Sequence, residues 1–134
     1  MRTFKDLEVW KKCRLLRMEI WVLVKTFPPE EKYRLVDQMI RSSRSPSSQI
    51  AEGYGRYHYQ ENVQFCRIAR GSLYEVIDHL SVCLDSAYIS SDKHENLQQL
   101  AYECIRMING YINYLIKSKK LSPNGEVNED FQNA

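Results

Sequence analysis

Three side chains that can ligate a metal ion or move a proton share one face of a predicted helix. Glu75, His79 and Cys83 stand at i, i+4 and i+8, which brings them to the same side of a helix. A zinc site would need a second histidine in the motif or a matching His/Glu pair on another helix, and the sequence has neither. Serine-nucleophile chemistry gains no support, because the three histidines are isolated and there is no nucleophile elbow. The pattern therefore favours an interior or interface polar cluster, with no catalytic residue, metal or cofactor, over a hydrolase or nuclease site using Glu75 and His79.

Basic residues mixed with aromatic ones form the second candidate site. Cations can hold phosphates while rings stack on bases, so the mixture predicts binding of single-stranded nucleic acid. The alternative is a solvated face with tyrosines at a subunit contact, since most basic residues on helices are simply hydrated. Residues 1–60 carry 12 basic and 7 acidic side chains, a net +5 that permits nucleic-acid contact without demanding it. The candidate nucleic-acid-binding residues are Lys11, Arg14, Arg34, Arg41, Arg44 and Arg56.

Four polar residues fall close to apolar stripes and form a predicted structural polar cluster. They are Gln38, Glu52, Ser72 and Glu75. If they are buried they must be paired, with Arg41 or Arg70 as the available cations, because an unpaired buried charge is costly.

Length and composition predict one soluble, mainly helical domain. The chain has 134 residues, 43% hydrophobic and 27% charged, with only 5 Gly and 4 Pro, which is few for the turns of an all-β domain. No apolar run approaches the length of a membrane span, and the start lacks the apolar core of a signal peptide, so we expect a cytoplasmic protein without membrane contact. The four cysteines form no CxxC pair, and we expect them to be reduced, small buried side chains.

Apolar periodicity predicts an all-α, antiparallel up-down four-helix bundle over residues 1–120, followed by a flexible acidic tail over 121–134. Ser45-Pro46 resembles a helix N-cap followed by proline at the first helical position, and predicts a kink and restart in the second helix, although a linker is an alternative. The predicted helices span residues 7–26, 30–53, 60–89 and 93–119.

The first and fourth predicted helices are apolar over more than one face. A helix of this kind is buried on more than one side, and a domain this small has too few other elements to supply the cover. We therefore expect copies of the chain to associate. The candidate interface residues are Trp21, Ile105, Ile112 and Ile116.

The motifs of residues 3–119 resemble the bacterial four-helix bundle proteins called 23S rRNA intervening-sequence proteins. The resemblance rests on the opening Phe4–Lys11, on Phe27-Pro28, and above all on Ser45–Arg56 with its Ile-Ala-Glu-Gly-Tyr-Gly-Arg run. Ala69–Glu75 completes the pattern. The sequence departs from the family in two places: Ser45 directly precedes Pro46, and Gln49 stands where the family usually has Asn.

The resemblance implies a closed homopentamer without recognised enzyme activity. Some members are encoded inside insertions in 23S rRNA genes, which is a genetic location and not an activity, so the prediction of nucleic-acid binding rests on the basic residues of the first two helices and on Arg56. The family is also similar to accessory proteins of diversity-generating retroelements, which bind nucleic acid and a reverse transcriptase. The prediction is therefore a non-enzymatic homo-oligomeric bundle that binds RNA or other nucleic acid. The alternative is a protein–protein adaptor, for example an accessory subunit of a reverse transcriptase.

Overall fold

The computed structural model describes residues 2–119, and this part of the chain is all-α, as predicted. Two short 3-10 turns, Phe4–Asp6 and Pro29–Glu31, precede the first and second helices. The predicted acidic tail lies outside the described residues. The four helices are α1 (Glu8–Val24), α2 (Leu35–Tyr54), α3 (Tyr59–Asp85) and α4 (Ser91–Lys119).

The chain enters α1 through a capped turn and leaves it at a pair of prolines. The Thr3 hydroxyl accepts a hydrogen bond from the Lys5 amide at 3.1 Å, and the Asp6 carboxylate accepts one from the Thr3 amide at 2.9 Å. The second helix, predicted to begin near Glu30, starts at Leu35 instead. Pro29–Glu31 forms one 3-10 turn, and the non-helical backbone of Arg34 (φ −119°, ψ −104°) separates that turn from α2.

The predicted restart at Pro46 is wrong, because α2 runs without interruption from Leu35 to Tyr54. Proline removes one backbone donor, but its ring is buried in the face of α2 that packs on the other helices. The hydroxyls of Ser43 and Ser47 also bond the carbonyls of Ile40 and Arg44, at 3.2 and 3.3 Å. Tertiary packing therefore maintains a helix that local propensity would interrupt.

The turn between α3 and α4 explains why α3 ends at Asp85 and not near Ile89, as its apolar pattern suggested. Ala87 adopts a left-handed conformation with φ of 59°, and the Tyr88 amide bonds the Cys83 carbonyl at 2.9 Å. This closes the helix in the manner usually provided by glycine. Ser90 then caps the start of α4, since its hydroxyl accepts from the Lys93 amide at 3.1 Å.

Each helix packs against the next one in the chain, and α1 also packs against α4. Their apolar stripes meet in one core, in which Leu16, Ile20, Leu73, Leu80 and Ile108 are fully buried. Within residues 2–119, no helix has both the length and the apolar character needed to cross a membrane.

All four cysteines are buried and unpaired, as expected. Burial raises the pKa of the Cys66 thiol to about 12 and that of Cys83 to about 11. A hydrogen bond with Cys104, together with burial, raises the pKa of Cys13 well above its usual value. The thiols are therefore protonated at neutral pH and contribute as small apolar groups.

Candidate nucleic-acid interface

Cations and indole rings alternate along the edge between α1 and α2, which we call the basic–aromatic seam. It consists of Trp10, Arg17 and Trp21 of α1, Lys25 at the C-cap of that helix, and Arg44 of α2. The spacing of the α1 members places them on one stripe of that helix. Arg17 lies over the Trp10 ring at 5.6 Å, while Lys25 and Arg44 lie over the Trp21 ring at 4.9 and 5.4 Å.

Contacts across the helix pair hold the seam in place. The Arg17 guanidinium donates to the Ser47 hydroxyl of α2 at 2.7 Å, which fixes the cation beside Trp10. Trp21 remains nearly half exposed between its two cations. Cation–π contacts at such exposed positions are worth about 0.5–1 kcal/mol, which organises the seam without making it rigid. The seam thus offers positive charge and an accessible ring at one place on the surface.

The six cations predicted to bind nucleic acid are all exposed, but they do not form one patch. Arg44 joins the seam, and Arg14 stands on the same stripe of α1, four residues after Trp10 and three before Arg17. Lys11 lies further round that helix. Arg34 stands just before α2. Arg41, one turn before Arg44, lines the side of α2 toward α3, whereas Arg44 reaches Trp21 of α1.

Several of these cations are already paired. Lys11 contacts Glu8 at 3.2 Å and Arg41 contacts Asp37 at 3.4 Å. Arg56 is the most engaged, with Glu52 at 3.1 Å, Glu61 at 3.7 Å and the Phe65 ring at 5.0 Å. Of the six, Arg44 therefore has the surroundings best suited to a base and a phosphate together.

A second feature is an open groove of about 420 Å³ between α2 and α3, which we call the polar groove. Its two walls bring hydroxyl, amide, guanidinium, carboxylate and imidazole groups together. The lining residues are Gln38, Arg41, Ser42, Ser45, Ser72, Glu75 and His79.

Hydrogen bonds between the two helices form the floor of the polar groove. The Ser42 hydroxyl lies 3.0 Å from His79 Nδ1, and the Ser72 hydroxyl donates to that of Ser45 at 2.8 Å. Ser42 and His79 are both buried, so each satisfies the other. Among residues 2–119 there is no group of three His, Cys, Asp or Glu side chains that could hold a metal ion.

Three of the four residues of the predicted polar cluster come together, and none of the four is buried. Gln38, Ser72 and Glu75 do meet in the polar groove, but Gln38 and Glu75 are exposed and Ser72 is half-buried. Glu52 is exposed as well and pairs with Arg56, not with Arg41 or Arg70. Helical periodicity placed these side chains beside the core stripe but could not show that they open onto solvent.

The four predicted interface residues divide into two groups. Trp21 and Ile116 are exposed, as a subunit contact would require. Ile105 and Ile112 are only 5% and 6% exposed, because α4 turns both toward the chain's own core, so their assignment to the surface is wrong. The wide apolar stripe of α4 is thus largely covered within a single copy.

Sequence reasoning overlooked two members of the seam, Trp10 and Arg17. It grouped Lys25 with Lys11 and Arg14 on one basic face of the first helix, but did not pair it with Trp21. A signal was present, since Trp10, Arg17, Trp21 and Lys25 follow one another at intervals of seven, four and four residues. The contact that completes the seam, from Arg44 to Trp21, joins residues far apart in the chain and left no local signal.

Comparison with known proteins identifies one family and one similar fold. Residues 5–110 match the family described as 23S rRNA-intervening sequence protein. The chain is also similar to the crystal structure of a protein of unknown function from the S23 ribosomal protein family of Bacteroides thetaiotaomicron, with 22% sequence identity and a TM-score of 0.74. That match covers 81% of this chain and 98% of the other, and it bears on the fold alone. The search of curated proteins finds no match.

Proposed function

Because the chain belongs to the 23S rRNA-intervening sequence protein family, we propose that it is a non-enzymatic protein that assembles with copies of itself and binds RNA or related nucleic acid. The observation that carries the binding half is the exposed Trp21 ring, flanked by Lys25 and Arg44. A base stacks on the ring while the two cations hold adjacent phosphates. Arg17 adds a third positive charge along the same edge.

Nucleic-acid binding through the seam predicts a marked dependence on salt. Three phosphate contacts at the seam release counterions, so the seam should contribute about −2 to the log–log slope with which the affinity for single-stranded RNA falls as salt rises. Arg44→Ala should reduce that slope by about 0.7. Trp21→Ala should weaken binding but leave the slope unchanged, because it removes a stacking ring and no charge. Fluorescence anisotropy with a labelled oligoribonucleotide between low and physiological salt measures both quantities.

Arg56→Ala serves as the matched control for Arg44→Ala. Arg56 is also an exposed arginine of the predicted set, but two carboxylates already neutralise it. Its removal should leave affinity and slope nearly unchanged. A flat salt response of the wild-type chain, or no binding at low salt, would contradict the proposed RNA role.

The assembly half of the proposal rests on the outer face of α1. Leu15, Met18 and Val22 stand at i, i+3 and i+7, so they share one face, and all three are exposed. Lys11 and Lys25 lie at its two ends. We propose that this face is covered by a second copy of the chain, since three large apolar side chains side by side are a typical subunit contact.

The outer face of α3 provides a complementary surface. Ile68 and Val82 are exposed there, with the acidic Glu75 and Asp78 between them. Gly71 lies on the same face, and a Cβ at that position would meet nothing within 4 Å, so another helix can approach closely. A basic and apolar α1 face fits an acidic and apolar α3 face.

Copies joined by contacts between α1 of one and α3 of the next can form a closed ring. The two helices make no contact within one copy, so their outer faces lie on different sides of the bundle. Such a head-to-tail contact produces a ring when the rotation closes. The family resemblance implies that the ring has five members.

The assembly proposal predicts that Val22→Asp converts the oligomer to a 15.9 kDa monomer, because it buries a charge in an apolar contact. Val82→Asp should do the same if α1 meets α3. Tyr33→Asp is the matched control, since Tyr33 is 83% exposed but lies outside both faces. Light scattering and sedimentation velocity at micromolar concentration report the mass.

Each result has a distinct meaning. If Val22→Asp abolishes assembly and Val82→Asp does not, the subunits meet through a two-fold contact between their α1 faces and not through the head-to-tail contact. A wild-type chain that stays a monomer at micromolar concentration would refute the assembly.

We also infer an up-down arrangement, in which every neighbouring pair of helices is antiparallel. Along α1 and α2, Arg17 contacts Ser47 while Trp21 contacts Arg44, so the contacts advance on one helix and go back on the other. The other pairs follow the same rule. Their contacts are Ser42–His79 with Ser45–Ser72, Arg70–Asn109 with Tyr74–Tyr102, and Lys12–Glu103 with Glu19–Lys93.

A further inference from the structure

Two tyrosine rings stand in solvent contact on the edge between α3 and α4. Tyr74 and Tyr102 are 53% and 46% exposed, and their ring centroids lie 6.5 Å apart with the planes at 83°. Two large aromatic side chains this exposed make little use of the core. Because one ring is turned nearly perpendicular to the other, they can offer two differently oriented surfaces for stacking.

Three arginines lie beside the rings, on the same faces of the same helices. Arg67 and Arg70 precede Tyr74 at i−7 and i−4 on α3, and Arg106 follows Tyr102 at i+4 on α4. Arg70 donates to the Asn109 side chain across the edge at 2.8 Å, which fixes its position. Arg67 and Arg106 have no ion pair with any residue among 2–119, so their charge is available.

The positive charge is concentrated at one end of this surface. Since α3 and α4 are antiparallel as inferred above, the residues before Tyr74 and after Tyr102 lie at the same end. All three arginines are therefore on one side of the ring pair, and the exposed acid Asp78 is one turn beyond Tyr74 on the other. This arrangement of arginines beside aromatic rings suits a nucleic-acid strand, which is anionic along its backbone and carries aromatic bases.

We propose that Arg67, Arg70, Tyr74, Tyr102 and Arg106 form a second binding surface, which takes unpaired bases of a single-stranded nucleic acid. The rings stack on one or two bases and the arginines hold the flanking phosphates. A duplex does not fit, because its bases are already stacked on one another. This inference rests on the proposed nucleic-acid role, but it concerns a different edge of the bundle from the basic–aromatic seam.

The test uses the full chain and labelled oligo(U) and oligo(dT) of about 12 nucleotides, a length within the range that one OB fold binds. The double variant Tyr74→Ala/Tyr102→Ala should lose about tenfold or more in affinity for both probes, with an unchanged salt slope. Tyr74→Phe/Tyr102→Phe keeps the rings and should bind like wild type. Arg67→Ala/Arg106→Ala should lower the salt slope by about 1.4, the value for two phosphate contacts.

Controls separate this proposal from the general RNA role and from assembly. Tyr33→Ala removes a still more exposed tyrosine elsewhere and should bind normally. Circular dichroism verifies that each variant is folded. Undiminished binding by the double alanine variant overturns the tyrosine surface while leaving the seam intact, and absence of binding by wild type overturns both. Loss of assembly in the double alanine variant would show that the tyrosines are a subunit contact, and would also overturn the proposal. Equal loss for oligo(U) and oligo(dT) supports recognition of bases irrespective of sugar, whereas loss for oligo(U) alone supports it for RNA only.

Discussion

Leu16→Ala should lower the free energy of unfolding by about 2–5 kcal/mol, because it removes a fully buried side chain and leaves a cavity among α1, α2 and α4. Leu15, the preceding residue, has the same chemistry but is 43% exposed. In a single copy, Leu15→Ala should change the free energy of unfolding by no more than about 1 kcal/mol. Denaturant titrations with linear extrapolation measure both values.

The comparison of Leu15→Ala with Leu16→Ala also tests assembly, because one of these adjacent leucines is exposed in a single copy and the other is buried. If Leu15 lies in a subunit contact, Leu15→Ala should reduce the dependence of the unfolding midpoint on protein concentration, since assembly adds stability by mass action. Leu16→Ala should lower the midpoint at every concentration. Equal effects of the two substitutions at high dilution would contradict the inward orientation of Leu16.

Gly53→Ala should also destabilise the chain, by about 1–3 kcal/mol, since it forces a side chain into a close contact between α2 and α3. A Cβ at Gly53 would lie 2.7 Å from Asn62 Oδ1 and 2.9 Å from Phe65 Cβ. Relief requires the two helices to separate. This would disturb the buried Asn62, whose amide donates to the Tyr111 hydroxyl at 3.3 Å. The gain of about 1 kcal/mol in helix propensity from glycine to alanine opposes the loss only in part.

Gly55→Ala is the control, two residues further along the chain. The nearest atom to a Cβ there is the Glu52 carbonyl oxygen at an ordinary 3.5 Å, and its φ of −76° suits any residue. Gly55→Ala should be neutral or stabilise by up to about 1 kcal/mol. Thermal unfolding followed by circular dichroism ranks the three proteins. A Gly53→Ala chain as stable as wild type would show that α2 and α3 can separate without loss.

The position of Gly53 also explains part of the sequence pattern. The Ile-Ala-Glu-Gly run ends at a close contact between α2 and α3, where a Cβ at the glycine would clash with Asn62 and Phe65. Glu52, in the same run, faces solvent and pairs with Arg56. The motif therefore serves packing and the helix end within one copy, and its acidic residue is not part of an interior cluster.

The amino-acid sequence by itself determined the class of the protein, the number of its helices, its family membership and the burial of its cysteines. These properties follow from local regularities: apolar spacing near 3.6 residues, prolines and capping serines at the ends, and short motifs in a fixed order. Helix ends were predicted less well, because Pro46 was stabilised inside α2 and Ala87 closed α3 early, both through backbone geometry and packing around them.

Only the tertiary structure decided which side chains act together. Arg44 reaches Trp21, Ser42 reaches His79, and Tyr74 stands beside Tyr102, each across a helix boundary. The periodicity of one helix gives the direction of its side chains relative to its own axis, but not which neighbouring helix they meet or how deeply they are covered. For that reason Ile105 and Ile112 were assigned to the surface although they lie in the core, and the two mixed basic and aromatic edges became visible only once the four helices were packed together.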